Sequence, residues 1–264
     1  MTDTSYSPAT ATALAIGATD AGWVEETDVP WDSSLASYNL RQTEQRTAHL
    51  LADLRDNIAA LRAAVAPPTR TVRIMAVGDS ITIGAGSTAP GGQVDQYGNG
   101  AGTGYRPWLV DLLARRGIAV QLTTVAQYGQ TVRVMAPATL AALPAARPDI
   151  VLIDLGTNDM GGDSDNWVSR YGQFVDQVLA SSPTVRVALA RLPYYRGIAT
   201  STVDTMNAAI DAIVNARKNS GRVAVADMAV ISPHWTADGM HPLDAGYLTM
   251  AQQWIGAIGA WLPQ

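Results

Sequence analysis

From residue 71 to the end of the chain, short apolar runs alternate with longer stretches of helical period. That alternation restricts the fold more than any other feature. Apolar and β-branched runs fall at 71–77, 119–125, 150–153, 185–189 and 223–225. Ile150, Val151, Leu152 and Ile153 are continuously apolar, as in a strand covered on both faces. Between the runs, apolar residues recur every three or four positions, as in Val168, Tyr171, Val175 and Val178, or Val203, Met206, Ile210 and Ile213. Such spacing marks amphipathic helices. Strand alternating with helix implies a doubly wound α/β domain, a five-stranded parallel sheet between two helical layers, over residues 71–264.

The first run ends in Gly78-Asp79-Ser80-Ile81-Thr82. A serine directly after a strand lies at the strand's carboxyl end, where open α/β sheets bind ligands. It is a candidate nucleophile if a base and an oxyanion site exist elsewhere. Near the other end stands Asp238-Gly239-Met240-His241-Pro242. A neutral imidazole takes a serine proton, and a carboxylate orients the ring. Between them lie Gly129, in Tyr128-Gly129-Gln130-Thr131, and Asn158, in Gly156-Thr157-Asn158-Asp159. A glycine N–H and a side-chain amide are donors of the kind an oxyanion hole requires. For the orienting acid, Asp154, Asp159 and Asp227 compete with Asp238; turn capping or simple burial accounts for those three. The chain has no G-x-S-x-G elbow. Its three histidines, His49, His234 and His241, show no metal-ligand spacing, and there is no cysteine, so no metal or other cofactor is expected.

Ser80, Gly129, Asn158 and His241, in that order, resemble the SGNH hydrolase superfamily, also called the GDSL esterases. The Gly104-Tyr105-Arg106, Gly156-Thr157-Asn158-Asp159-Met160 and Asp238-Gly239-Met240-His241-Pro242 blocks are similar to its acetylxylan-esterase branch. The resemblance covers 71–264 and implies a flavodoxin-like fold. It also implies a metal-free serine esterase that removes acetyl groups from a carbohydrate. The Asp-x-x-His pattern then assigns Asp238 as the partner of His241. The oxyanion donors would be the N–H groups of Ser80 and Gly129 with the Asn158 amide. Asp79, Tyr105 and Tyr128 are expected to contact substrate, with Trp167, Tyr194, Tyr195 and Trp235 near the rim. The alternatives are a lipid esterase or thioesterase, and an oligomeric, phage-tail-like particle component that carries a hydrolase domain.

The resemblance leaves out the first 70 residues. Positions 1–38 show no period and read as an arm, which Trp23 and Trp31 could dock on a larger assembly. Within 39–66, Leu51, Leu54, Ile58, Leu61 and Val65 follow a 3-4-3-4 spacing. Either residues 40–65 form a coiled coil that makes the protein a homo-oligomer, or the helix lies on its own domain. Residues 67–70, opening with Pro67-Pro68, form a linker. The Gly-rich stretch 85–104 reads as a loop that either rims the site or is a solvated insertion. A net charge of −5 without a basic stripe argues against nucleic acid. No run is long enough to span a membrane, and the first residues lack a signal peptide's basic segment. The expected location is the cytoplasm or an extracellular or virion particle.

Overall fold

A computed structural model describes residues 70–87, 93–94, 100–101, 104–161, 166–231 and 238–263. The chain divides between Ala66 and Pro67 into two units, and every described residue lies in the second. The expectations for 1–38, 39–66 and most of 67–70, and for His49, His234 and Trp235, fall outside the described residues.

The strands are β1 (Arg70–Gly78), β2 (Gln93–Val94), β3 (Gly100–Ala101), β4 (Ile118–Ala126), β5 (Ile150–Asp154), β6 (Arg186–Ala190) and β7 (Val223–Ala226). The helices are α1 (Ser80–Ile83), α2 (Tyr105–Ala114), α3 (Val132–Ala146), α4 (Trp167–Ala180), α5 (Thr200–Asn215) and α6 (Asp244–Ile258). Five strands form one sheet in the order β4-β1-β5-β6-β7, and every pair is parallel. β5 is central and buried at every position, which is why its sequence shows no alternation. α2 packs against α6, while α3, α4 and α5 pack in succession; right-handed crossovers put these two groups on opposite faces of the sheet. No described helix is long and apolar enough to cross a membrane.

Most of the stripes read from sequence become the core, but Val168 is exposed and Trp167 is buried in its place. In α4, Trp167, Tyr171, Phe174, Val175 and Val178 are buried, and the Trp167 and Tyr171 rings meet edge to face at 5.4 Å. Across the sheet, Tyr105 of α2 tilts against Trp254 of α6 at 5.9 Å. The stretch 85–104 departs from an unbroken loop. It contains a short antiparallel ladder in which Gln93 faces Ala101 and Val94 faces Gly100.

The chain leaves β1 for β4 on one side and later returns to β5 on the other. That reversal opens a crevice at the carboxyl ends of the strands, where the sequence blocks converge.

Candidate active site

Each polar group of the site hangs from the carboxyl end of a strand. Asp79 follows β1 and caps α1, accepting the Ile81 N–H at 2.9 Å. Ser80 is the first residue of that helix. The sharp return of α1 onto the sheet requires Gly78. A Cβ there would stand 2.0 Å from Thr82 Oγ1 and 2.8 Å from the Asp154 carbonyl oxygen.

Ser80 Oγ lies 2.9 Å from His241 Nε2, and His241 Nδ1 lies 2.7 Å from Asp238 Oδ2. The other Asp238 oxygen accepts the His241 N–H at 2.8 Å and the Met240 N–H at 2.9 Å. A carboxylate can only accept, so the ring carries its proton on Nδ1 and presents Nε2 as acceptor to the serine hydroxyl. Partial burial pushes the Asp238 carboxyl up. The His241 N–H, the His241 ring and the Met240 N–H outweigh it and bring the pKa to about 2.

The loop that carries His241 is pinned from behind. Tyr247, buried in α6, donates its hydroxyl to the Ala85 carbonyl at 2.6 Å, and Ser87 donates to Asp244 at 3.0 Å. These bonds tie the segment after α1 to the segment after His241, so they set the spacing between serine and imidazole.

Asn158 sits in a 3₁₀ turn, Thr157–Gly161, after β5. Its amide nitrogen donates to Asp79 Oδ2 at 2.8 Å and to the Gln130 carbonyl at 3.0 Å. Gly129, after β4, adopts φ 68° with nothing within 4 Å of its side-chain position. Ser80, His241 and Asp238 thus form one hydrogen-bonded set and Asn158, Asp79 and the Gln130 carbonyl another; the peptide bond between Asp79 and Ser80 joins them, and Gly129 precedes Gln130 in sequence.

Two expected substrate contacts lie in the interior: Asp79 is 1% exposed and Tyr105 is 0% exposed. Both Asp79 oxygens are engaged, on Ile81 and Asn158. The Tyr105 hydroxyl turns inward to Thr82 Oγ1 at 3.4 Å. Tyr128 is half-buried with its hydroxyl inside. Of the rim aromatics, Trp167 and Tyr195 are buried, and the Tyr195 hydroxyl meets Thr157 Oγ1 at 2.8 Å. Tyr194 is half-buried and donates to Asp204 at 2.7 Å.

Asp159 and Asp227 act as turn caps. Asp159 accepts the Val132 N–H at the start of α3 at 3.1 Å, and Asp227 accepts the Ala229 N–H at 3.2 Å. Asp154 is the acid whose importance the sequence understates. It lies 2% exposed beneath α1, with the Thr82 hydroxyl 3.4 Å away. Burial raises its pKa to about 7 against the Thr82 hydrogen bond. Asp79 is also pushed upward, first by burial and then by the nearby charge of Asp154, although the Ile81 N–H and, further back, its own N–H oppose this. Two carboxyls in one dry site do not ionise together readily.

A family profile, the GDSL-like lipase/acylhydrolase family, matches residues 76–248, about two thirds of the chain. The chain belongs to this family. It is a carboxylic ester hydrolase of the SGNH type, a serine esterase. Among curated proteins, none matches the sequence. Solved structures share the fold of this GDSL hydrolase. A Clostridium thermocellum family 3 carbohydrate esterase aligns at TM-score 0.61 and 24% identity, over 73% of this chain and 97% of that one. An acetylxylan esterase from Geobacillus stearothermophilus aligns at 0.56 and 22%, over 74% and 97%. A carbohydrate esterase of family 3 from Talaromyces cellulolyticus aligns at 0.55 and 22%, over 69% and 94%.

Proposed function

We propose that this GDSL hydrolase removes acetyl or other short acyl groups from a carbohydrate through an acyl-enzyme on Ser80. One observation carries the reading: the unbroken chain from Ser80 Oγ to His241 Nε2 at 2.9 Å and from His241 Nδ1 to Asp238 at 2.7 Å. His241 takes the hydroxyl proton as Ser80 Oγ attacks the ester carbonyl, and the proton then passes to the departing sugar oxygen. Water, deprotonated by the same nitrogen, releases the acid and frees the serine. Asp238 keeps Nε2 free to accept and stabilises the imidazolium.

The Ser80 and Gly129 N–H groups and the Asn158 amide are the proposed oxyanion donors. Both Asn158 amide protons have partners in the resting site, Asp79 and the Gln130 carbonyl. The bond to the buried carboxyl holds the amide in place. The bond to the carbonyl is the one an oxyanion takes over. Because the resting bond is to a neutral acceptor, the exchange gains most when charge develops on the substrate.

A carbohydrate is favoured by the motif blocks and by the activities of the structural neighbours. A second reading, esters of longer acyl chains, rests on a different observation. Among the described residues, the exposed large hydrophobics are Val134, Val168, Val230 and Leu243. All four lie at the carboxyl edge of the sheet, in first helical turns or post-strand loops. Hydrolysis of acetylated oligosaccharides, compared with aliphatic esters of increasing chain length, separates the two. A rate that rises with chain length and fails on acetylated sugars would sink the carbohydrate reading.

We assign the chemistry to residues after 70 and oligomerisation to the heptad within 40–65. A chain beginning at Thr69 is expected to hydrolyse 4-nitrophenyl acetate at near wild-type rate and to scatter light as a monomer. A full-length protein that is itself monomeric at micromolar concentration would remove the coiled-coil part of this reading. It would also remove the particle-attached alternative, which needs that stalk.

A further inference from the structure

Charged side chains in this domain are mostly paired. Arg73 binds Asp149, Arg191 binds Asp211 and Asp227, Arg217 binds Asp176, and Arg186 and Arg222 donate to carbonyl oxygens. Among the described residues, Arg116, Arg147, Arg196 and Lys218 have cationic groups with no hydrogen bond or ion pair. Arg116, Arg147 and Lys218 follow helix ends and precede strands, so they lie at the edge away from the site. Arg196 lies at the site's own edge.

Its backbone is held on two sides. Next to it, the Tyr195 hydroxyl meets Thr157 at 2.8 Å, and Thr157 adjoins Asn158. The Arg196 N–H donates to the Gly239 carbonyl at 2.8 Å, between Asp238 and Met240. The side chain then runs over Gly239. A Cβ on that glycine would stand 2.7 Å from Arg196 Cβ, 3.4 Å from its Cδ and 3.5 Å from its Nε. Gly239 is itself at φ 95°, a conformation that costs other residues most. Two virtual bonds, at most about 7 Å, separate its Cα from that of His241.

The result is a solvent-exposed guanidinium anchored between the Asn158 turn and the Asp238–His241 turn. Described acids on this edge already have partners. Asp238 is bonded to His241 and Met240, Asp204 to Tyr194, and Asp211 and Asp227 to Arg191. On a chain of net charge −5, an unpaired cation at this edge is the one placed to draw an anion toward the site. A guanidinium fork matches a carboxylate in geometry as well as in charge.

We propose that Arg196 anchors a carboxylate carried on the substrate, and that the natural ester is borne by an acidic, uronate-containing glycan. This rests on the esterase reading above and extends it to the substrate class. Two acetylated oligosaccharides of equal length, one neutral and one with a uronate beside the acetylated sugar, provide the test. The wild-type enzyme is expected to favour the acidic one in kcat/KM, through KM, and the preference should shrink as salt is added. In Arg196→Gln, the acidic-to-neutral ratio should fall roughly 3- to 10-fold, with partial recovery in Arg196→Lys. Calorimetric binding of the acidic ester to Ser80→Ala reads the same anchor without turnover, and adding Arg196→Gln to that protein should weaken it similarly. An unchanged ratio in Arg196→Gln, or a wild-type enzyme indifferent to the uronate, overturns the proposal while leaving the esterase intact. Binding of the acidic ester that depends on Arg196, without hydrolysis of either ester, would instead retain the anchor and overturn the carbohydrate-esterase reading.

Discussion

At the amino-terminal edge of the sheet, three arginines bind the protein's own acceptors. Arg222 donates to the carbonyls of Leu179 and Ser182, each at 3.1 Å, where α4 ends. Arg217 joins Ile213 at the end of α5 to Gly172 and Asp176 of α4. Arg186, at the start of β6, donates to the Trp261 carbonyl at 3.1 Å beyond α6. Helices end there with unmet carbonyls, and cations satisfy them. The carboxyl edge inverts this chemistry. Asp79, Asp154 and Asp159 are buried there. The histidine is aimed at a serine, and the guanidinium of Arg196 has no partner among the described residues. Both edges carry unpaired cations, but only at the carboxyl edge does one stand beside a base and donors that a ligand could meet. Variants on the two edges should therefore fail in different measurements.

The largest contrast is expected at Ser80. Ser80→Ala should lower kcat by about 10⁴-fold or more while the melting temperature stays near wild type. A folded Ser80→Ala protein that still hydrolyses esters at the wild-type rate would place the nucleophile elsewhere.

Next comes Asn158. Asn158→Ala should reduce kcat by about 10²- to 10³-fold with a smaller change in KM, because the oxyanion exists only in and near the transition state. An effect confined to KM would make Asn158 a substrate contact. It would also break the reasoning from its exchangeable bond to Gln130.

The third effect is on stability and carries a sign. With its folded pKa raised to about 7, Asp154 holds a proton in the native state that it has lost in the unfolded chain between about pH 4 and 7. Its burial is therefore tolerated below that window and increasingly destabilising as pH rises through it. Asp154→Asn should raise the melting temperature at pH 8, by a gain on the order of a few kcal/mol at most, and change it little at pH 4. Asp238 runs the other way. Its pKa is lowered to about 2, so its contribution is present above about pH 4 and is lost as pH falls toward 2. Equal gains for Asp154→Asn at both pH values would mean that the buried carboxyl is not protonated in the native state.

Much of the carboxyl edge is legible in the amino-acid sequence. Ser80, Asn158 and His241 each lie in a short block after a strand, where local backbone geometry fixes the side chain. Asp238 and His241 are three residues apart, close enough for one turn to align them. The five strands are legible because their apolar runs are bounded by helical periods. What escapes is contact through space. Nothing in the chain announces that Asp79 meets an amide 79 positions later. Nor does it show that Tyr195 fastens the Thr157 turn, or that Arg196 crosses Gly239. Tyr105 is ambiguous for a related reason. A tyrosine suits a sugar-binding rim or a core with one polar partner equally well, and here Trp254 and Thr82 supply the core.

The smallest effect should come from the opposite edge and should leave chemistry alone. Arg222 is held by carbonyls of Leu179 and Ser182, where α4 ends, and of Val185, just before β6. Replacing it with alanine removes a charged donor from partly buried acceptors, which typically costs about 1–3 kcal/mol. Water can reach some of those carbonyls, so the lower part of that range is expected. The site is at the other end of the strands, and none of its hydrogen bonds passes through Arg222. Arg222→Ala should therefore lower the denaturation midpoint while kcat and KM for an acetyl ester remain at wild-type values. If kcat fell with stability, the two edges would be coupled through the sheet. The separation of a structural edge from a reactive one would then fail.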